Sequence, residues 1–373
     1  MRKLPVWAWL MIAGFAVAGL VAVVHIHGTA GAAIETTGGL ALIAGSCEAL
    51  ILSVEGMSAR LGWNKFVGGT IAAVVSNVPE ISLLGFFVAK DPTMAFIIGM
   101  MSVYTNSMVF ALYALLLPKD KGSAAIPQPI VKAGTDLLSF GGGLCLALAG
   151  AMIILHEFGS EVKDIGVPEL YFIGFGLLGV FATFLISLVR YYSAEEPKSD
   201  SAPASEEHHH APSSWLAIAG LLSLGVGGSF VGGHAMSDVG DAIVAAFPSL
   251  KPMQVALVLA LIAGVPTYVI VINAHVKKQP LIALSNTFGG LTQNLFNVMA
   301  FCCLLIASFN TFGVLHHQTV PITVGTTLSV LFIYPTYAIL QRAIEDDGKF
   351  NWIEIVSLVT LIGFLMFLLA REA

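Results

Sequence analysis

Apolar residues run along this chain in long blocks separated by short polar stretches, and many of the blocks reach the ~20 residues that a helix needs to cross a bilayer. Eleven such spans are predicted, at about Val6–Val24, Gly38–Leu61, Phe66–Val88, Thr93–Leu117, Leu137–Leu155, Leu170–Tyr191, Trp215–Phe247, Met253–His275, Leu281–Ile306, Ile322–Leu340 and Trp352–Leu369. The blocks show no two-residue alternation of the kind a membrane β-barrel would carry, so the expected fold is an all-α polytopic membrane protein. The seventh span holds 33 residues, including Gly232-Gly233-His234, Asp238 and Asp241. That is more than one crossing, which predicts a tilt, a bend or an extension beyond the bilayer.

Two blocks share a pattern built around a central proline, 187 residues apart. One reads Ser76-Asn77-Val78-Pro79-Glu80, then Lys90-Asp91-Pro92, then Ser102-Val103-Tyr104-Thr105-Asn106. Its counterpart reads Ala263-Gly264-Val265-Pro266-Thr267, then Lys278-Gln279-Pro280, then Gly290-Leu291-Thr292-Gln293-Asn294. A lysine follows the central proline by 11 residues in both (Lys90, Lys277), and an asparagine follows the second proline by 14 in both (Asn106, Asn294). An internal repeat in a membrane protein points to a transporter whose site lies between the repeats.

Basic residues set the expected orientation. With the N-terminus inside, 13 of the 17 Lys and Arg fall in inner loops or at inner span ends, as the positive-inside rule requires. Spans two to six (residues 38–192) and seven to eleven (214–373) then form two five-helix units. Five is odd, so the units are inverted. Residues 1–37 supply an extra N-terminal helix and loop. The run from Val6 to Val24 has no convincing cleavage site after it and reads as a retained helix. Residues 193–213, with Glu195, Glu196, Asp200, Glu206, Glu207 and His208-His209-His210, read as an acidic, solvated cytoplasmic linker. A weak cation or pH sensor is the functional alternative there.

Composition sharpens the class. The chain is 57% hydrophobic and 11% charged, against about 25% charged in soluble domains. The cysteines Cys47, Cys145, Cys302 and Cys303 all lie in apolar runs and read as packing sulfurs. The partners implied are membrane lipid, small cations and protons, and nothing points to nucleic acid, to an enzyme or to a bound cofactor. The expected location is a bacterial or archaeal cell membrane.

The chemistry concentrates in the repeat. Proline has no N–H and disrupts the preceding helical turn, and freed carbonyls at membrane depth are tolerated only where they face protein or a wet cavity. Such carbonyls, with Asn and Ser oxygens, suit a hard cation such as Na⁺ or Ca²⁺. Glu80 is the sharpest candidate, because a carboxylate at mid-membrane must pair, protonate or bind a cation. It would neutralise a bound cation and take up a proton when the cation leaves. Asn77 lies three residues before it on about the same helical face, and Ser102 and Asn106 share a face of the fourth span. In the second unit the equivalent positions are Thr267, Gly290 and Asn294. Glu48, Glu55, Asp238, Asp241, His234, Asn273, Ser285, Asn286 and Gln293 are further polar groups within spans.

These motifs resemble the paired repeats of the calcium/cation antiporter superfamily, which includes sodium/calcium and cation/proton exchangers. Ser76-Asn77-Val78-Pro79-Glu80 resembles its Gly-Thr-Ser-Leu-Pro-Glu and Gly-Asn-Ala-Pro-Glu motifs. Ser102-Val103-Tyr104-Thr105-Asn106 is similar to Gly-Ser-x-x-Ser-Asn, and Gly289-Gly290-Leu291-Thr292-Gln293-Asn294 to Gly-Ser-Ala-Thr-Gln. The layout of one helix, five, an acidic loop and five is like the cation/proton branch. The resemblance implies a secondary antiporter exchanging Ca²⁺ or a related cation for H⁺ or Na⁺, with Glu80, Asn77, Ser102, Asn106, Thr267, Asn294 and Gly290 around the ion. The family usually has an acidic residue in both repeats, whereas this chain has Thr267 in the second. One carboxylate balances a monovalent cation and half-compensates Ca²⁺, unless Glu55, Asp241 or another group contributes. Exchange of Na⁺ or K⁺ for H⁺ is therefore an alternative, and a transport-inactive ion-sensing scaffold is an alternative of another class.

Overall fold

The computed structural model describes residues 4–24, 28–63, 65–117, 123–125, 128–158, 163–192, 214–247, 249–250, 252–276, 280–315 and 319–372. Helix α1 (Val6–Val24) precedes the first unit, which contains α2 (Gly28–Leu61), α3 (Lys65–Ser76), α4 (Val78–Lys90), α5 (Pro92–Leu116), α6 (Gln128–Phe158) and α7 (Val167–Tyr192). The second unit contains α8 (Trp215–Ala246), α9 (Pro252–Ala263), α10 (Val265–Val276), α11 (Pro280–Gln293), a π-helical stretch (Asn294–Met299), α12 (Ala300–Thr311), α13 (Val324–Leu331), α14 (Ile333–Asp347) and α15 (Trp352–Glu372). Ten helical stretches among the described residues are long and apolar enough to cross a membrane. The remaining crossing is made by α9 and α10, each of 12 residues. Two spans are longer than a crossing. Helix α2 has 34 residues and begins ten before the expected Gly38, and α8 is one unbroken helix of 32.

Four short strands reveal how the units are related. Strand β1 (Ser123–Ala125) lies between α5 and α6, and β2 (Asp164–Ile165) between α6 and α7. Strand β3 (Val320–Pro321) lies between α12 and α13, and β4 (Lys349–Asn351) between α14 and α15. β1 pairs antiparallel with β4, and β2 with β3. Exchanging the two units converts one pair into the other. The pairs sit at opposite ends of α6, so that exchange also turns the molecule over across the membrane. The five-helix units are inverted repeats.

Burial grades outward from the proline-containing centre. About 83% of the membrane-spanning windows in α5 and in the α11–π–α12 stretch is buried, against 17% in α1 and 22% in α7. The outer helices turn Phe172, Phe175, Leu216 and Trp9 outward, the inverse of a soluble fold and the pattern lipid contact requires. Close packing inside relies on glycine, as membrane helices generally do. A Cβ on Gly233 of α8 would lie 2.9 Å from the Leu83 backbone nitrogen of α4, and one on Gly45 of α2 would lie 2.8 Å from the Trp7 carbonyl of α1. The centre is pinned by tyrosines: Tyr104 donates to the Ser329 carbonyl, and Tyr337 donates to the Leu291 carbonyl at 2.7 Å.

Candidate functional site

The prolines expected to disrupt spans three and eight each do so two residues upstream. α3 stops at Ser76 and α4 starts at Val78, with Asn77 between them and Pro79 in the first turn of α4. The Asn77 amide reaches back only to Val74 O, at 3.2 Å, and Ile81 N resumes the ladder on Asn77 O at 2.9 Å. Pro79 cannot donate, so the Val75 carbonyl loses its helical partner. In the inverted unit α9 stops at Ala263 and α10 starts at Val265, with Gly264 between them. Each break presents carbonyls from one half-helix and the positive N-terminal end of the next, the arrangement that polarises ion sites inside membranes.

Glu80 sits in that first turn of α4, 8% exposed. Its carboxylate meets the opposite unit directly. Asn294 Nδ2 lies 3.3 Å from each carboxylate oxygen and 2.8 Å from Ser102 Oγ, and the Ser102 side chain also faces the carboxylate. Asn294 opens the π-helical stretch, and π turns recur at functional positions because the widened turn re-aims side chains. Ser102 in turn anchors its own helix, its carbonyl accepting from Asn106 Nδ2 and from Thr105 Oγ1, both at 3.0 Å.

Around this cluster lie polar atoms with no hydrogen-bond partner among the described residues. They include Asn77 Nδ2, Asn106 Oδ1, Asn294 Oδ1 and Gln293 Oε1. Buried polar groups are nearly always satisfied, so a group of them gathered around one carboxylate makes a polar pocket suited to water or a cation. Three of the open atoms are amide oxygens, the type that hard cations prefer. Gly290 helps keep one of them open, since a Cβ there would lie 3.3 Å from Asn106 Oδ1. Gln293 is held by its other end, Nε2 donating to the Thr70 carbonyl at 3.3 Å, which leaves Oε1 available.

The structure thus brings together Glu80, Ser102, Asn106, Asn294 and Gly290, with Asn77 buried at the adjoining helix break. Thr267 is half-buried in the first turn of α10 and joins none of these hydrogen bonds. Glu48 is half-buried and Glu55 exposed on α2. Asp238 pairs with Lys90 at 2.7 Å, with His234 3.6 Å away. The side chains of Asp241, Asn273 and Ser285, and the linker 193–213, lie outside the described residues. Glu80 is the one charged residue among the buried described residues, which contain no group of three or more His, Cys, Asp or Glu able to hold a metal. Sequence reasoning did not single out Tyr268, two residues after Pro266, or Thr70. A tyrosine two residues after a mid-span proline was the available signal for the first. Thr70 contributes a backbone carbonyl, which no side-chain pattern reveals.

Residues 216–371, nearly the whole second unit, match the family model of the sodium/calcium exchanger protein. No curated protein matches the chain in sequence. Among solved structures it is similar to the H⁺/Ca²⁺ exchanger CAX, at 11% identity and a TM-score of 0.73, over 98% of this chain and 90% of that one. The Ca²⁺/H⁺ antiporter YfkE follows at 13% identity and a TM-score of 0.64, over 98% and 99% of the chains. The sodium-calcium exchanger NCX_Mj is similar at 16% identity and a TM-score of 0.56, over 96% and 98%. At these identities the structural likeness is one of fold.

Proposed function

We propose that this chain belongs to the calcium/cation antiporter superfamily, supported by the match of its second unit to the sodium/calcium exchanger model, and is a secondary active antiporter that exchanges Ca²⁺ or a related cation for H⁺ or Na⁺ at Glu80. The observation that carries this reading is the buried Glu80 carboxylate touching Asn294 of the inverted unit, ringed by unpartnered amide oxygens. A cation entering there would draw the Asn294 amide off the carboxylate and take up Asn106 Oδ1, Asn294 Oδ1 and freed backbone carbonyls as ligands. When it leaves, a proton on Glu80 restores neutrality. Because the site is built from both units, rocking one against the other would open it to alternate sides. The basic-loop count supports an N-terminus on the cytoplasmic side. Purified protein in proteoliposomes, screened over Ca²⁺, Na⁺, K⁺ and Mn²⁺ with and without a pH gradient, should show uphill flux of at least one cation driven by a gradient of another ion. Ion binding without gradient-driven flux would favour the sensing scaffold instead.

A further inference from the structure

Resting on the antiport part of that reading and narrowing its cation, we infer that the cargo is monovalent and not Ca²⁺, and that one cation exchanges for one proton with no net charge moved. The argument is a charge count. Glu80 is the one charged residue among the buried described residues, and Thr267 stands at its counterpart in the inverted unit. Glu55 is exposed, and Asp238 is already matched by Lys90 at 2.7 Å, at the far end of α4. Among the described residues the other contributors near Glu80 are neutral: Asn294, Ser102, Asn106, Asn77, Gln293 and Tyr268.

Three occupancies follow. With Na⁺ or K⁺ bound to the carboxylate, the site is neutral. With a proton on the carboxylate, it is neutral again. Empty, it carries one buried negative charge, and with Ca²⁺ one buried positive charge. An uncompensated charge in such a setting costs several kcal/mol. The two neutral states can therefore change sides, while the empty and Ca²⁺-loaded states are held back, and that difference enforces coupling. The exchange balances as cation-carboxylate plus H⁺ giving carboxylic acid plus free cation, with the O–H bond formed on Glu80.

The test uses the full chain in proteoliposomes, with Na⁺ as the first probe and a pH dye inside. The expected result is one H⁺ moved per Na⁺, at a rate unchanged by an imposed potential of about 100 mV, a step that would drive any uncompensated charge. K⁺ is then measured without ionophore for the same ratio. Ca²⁺ flux should not exceed that of Glu80→Gln vesicles, and Thr267→Glu should raise it at least tenfold. Ca²⁺/H⁺ exchange as fast as the Na⁺ or K⁺ exchange, or a rate that follows the potential, overturns the inference and leaves the antiport reading standing. Absence of gradient-driven flux for every cation, in protein that is folded and monodisperse, overturns the antiport reading itself.

Discussion

Replacing Glu80 by glutamine removes one charge and almost nothing else. The amide keeps the length and an oxygen that Asn294 Nδ2, now 3.3 Å from both carboxylate oxygens, can still reach. At an effective dielectric of ~20, two unit charges ~3 Å apart attract by about 5 kcal/mol. If desolvation takes up to half of that, roughly 3 kcal/mol of cation binding disappears, a loss of about 100-fold in affinity. The second loss is absolute: an amide does not accept a proton near neutral pH, so the return half of the cycle has no carrier. Exchange in proteoliposomes should fall below about 1% of the parent rate. Folding should be unharmed, because swapping a buried charge for a neutral isostere relieves a desolvation cost. The melting temperature of purified protein in detergent should hold or rise by a few degrees. A Glu80→Gln protein transporting within about twofold of the parent would refute the assignment, and Asp241 would become the next residue to test.

Asn294→Ala removes a neutral ligand and the hydrogen bond to Ser102 at 2.8 Å. It should raise the half-saturating cation concentration several-fold without abolishing flux, as read from initial rates. Gly290→Ser places a hydroxyl next to Asn106 Oδ1, from which the added Cβ would lie 3.3 Å. By satisfying that oxygen it should weaken cation affinity about tenfold while leaving the melting temperature within a few degrees. Gly233→Val forces α8 off the α4 backbone, where a Cβ would stand 2.9 Å from Leu83 N. It should destabilise the fold by about 1–3 kcal/mol, seen as earlier thermal aggregation. Deleting residues 193–213 and replacing them with a neutral flexible linker should leave basal flux intact and change at most its dependence on cation or pH. Loss of all flux in well-folded protein would assign the linker an essential part.

Much of this molecule is legible in the order of its residues, for a physical reason. Membrane crossings are written in long apolar runs, and a proline at mid-run marks a break wherever it falls. The spacings from Pro79 to Glu80, Pro92 to Asn106 and Pro280 to Asn294 therefore led to the cluster that forms. Residues 28–37 were harder, because Gly, Ala and Thr read as a loop, yet they extend α2. Nothing around Asn294-Leu295-Phe296 announces a π turn, since widening is a matter of hydrogen-bond phase and not of residue type. Thr267 occupies the right repeat position but joins none of the hydrogen bonds around Glu80. Which amide oxygens stay open depends on partners hundreds of residues away, as with Gln293 held by Thr70.

The π-helical stretch from Asn294 to Met299 also bears on the ancestry of the two halves. A π turn spends one more residue per hydrogen-bonded loop than an α turn. Downstream side chains are rotated by about 100°, one residue's worth of helix. From the second proline to the asparagine, 14 residues in each half, the inverted halves keep step, and beyond it the π turn, absent from the unbroken α5 of the first half, sets their phases apart. A duplicated gene product begins with interchangeable halves, each able to play the other's part. A one-residue slip of this kind is a ratchet: once the faces beyond it have repacked, neither half can substitute for its twin. The buried carboxylate of the first half and the re-aimed asparagine of the second are then complementary specialists, and a copy made by duplicating either half alone would lack one of them.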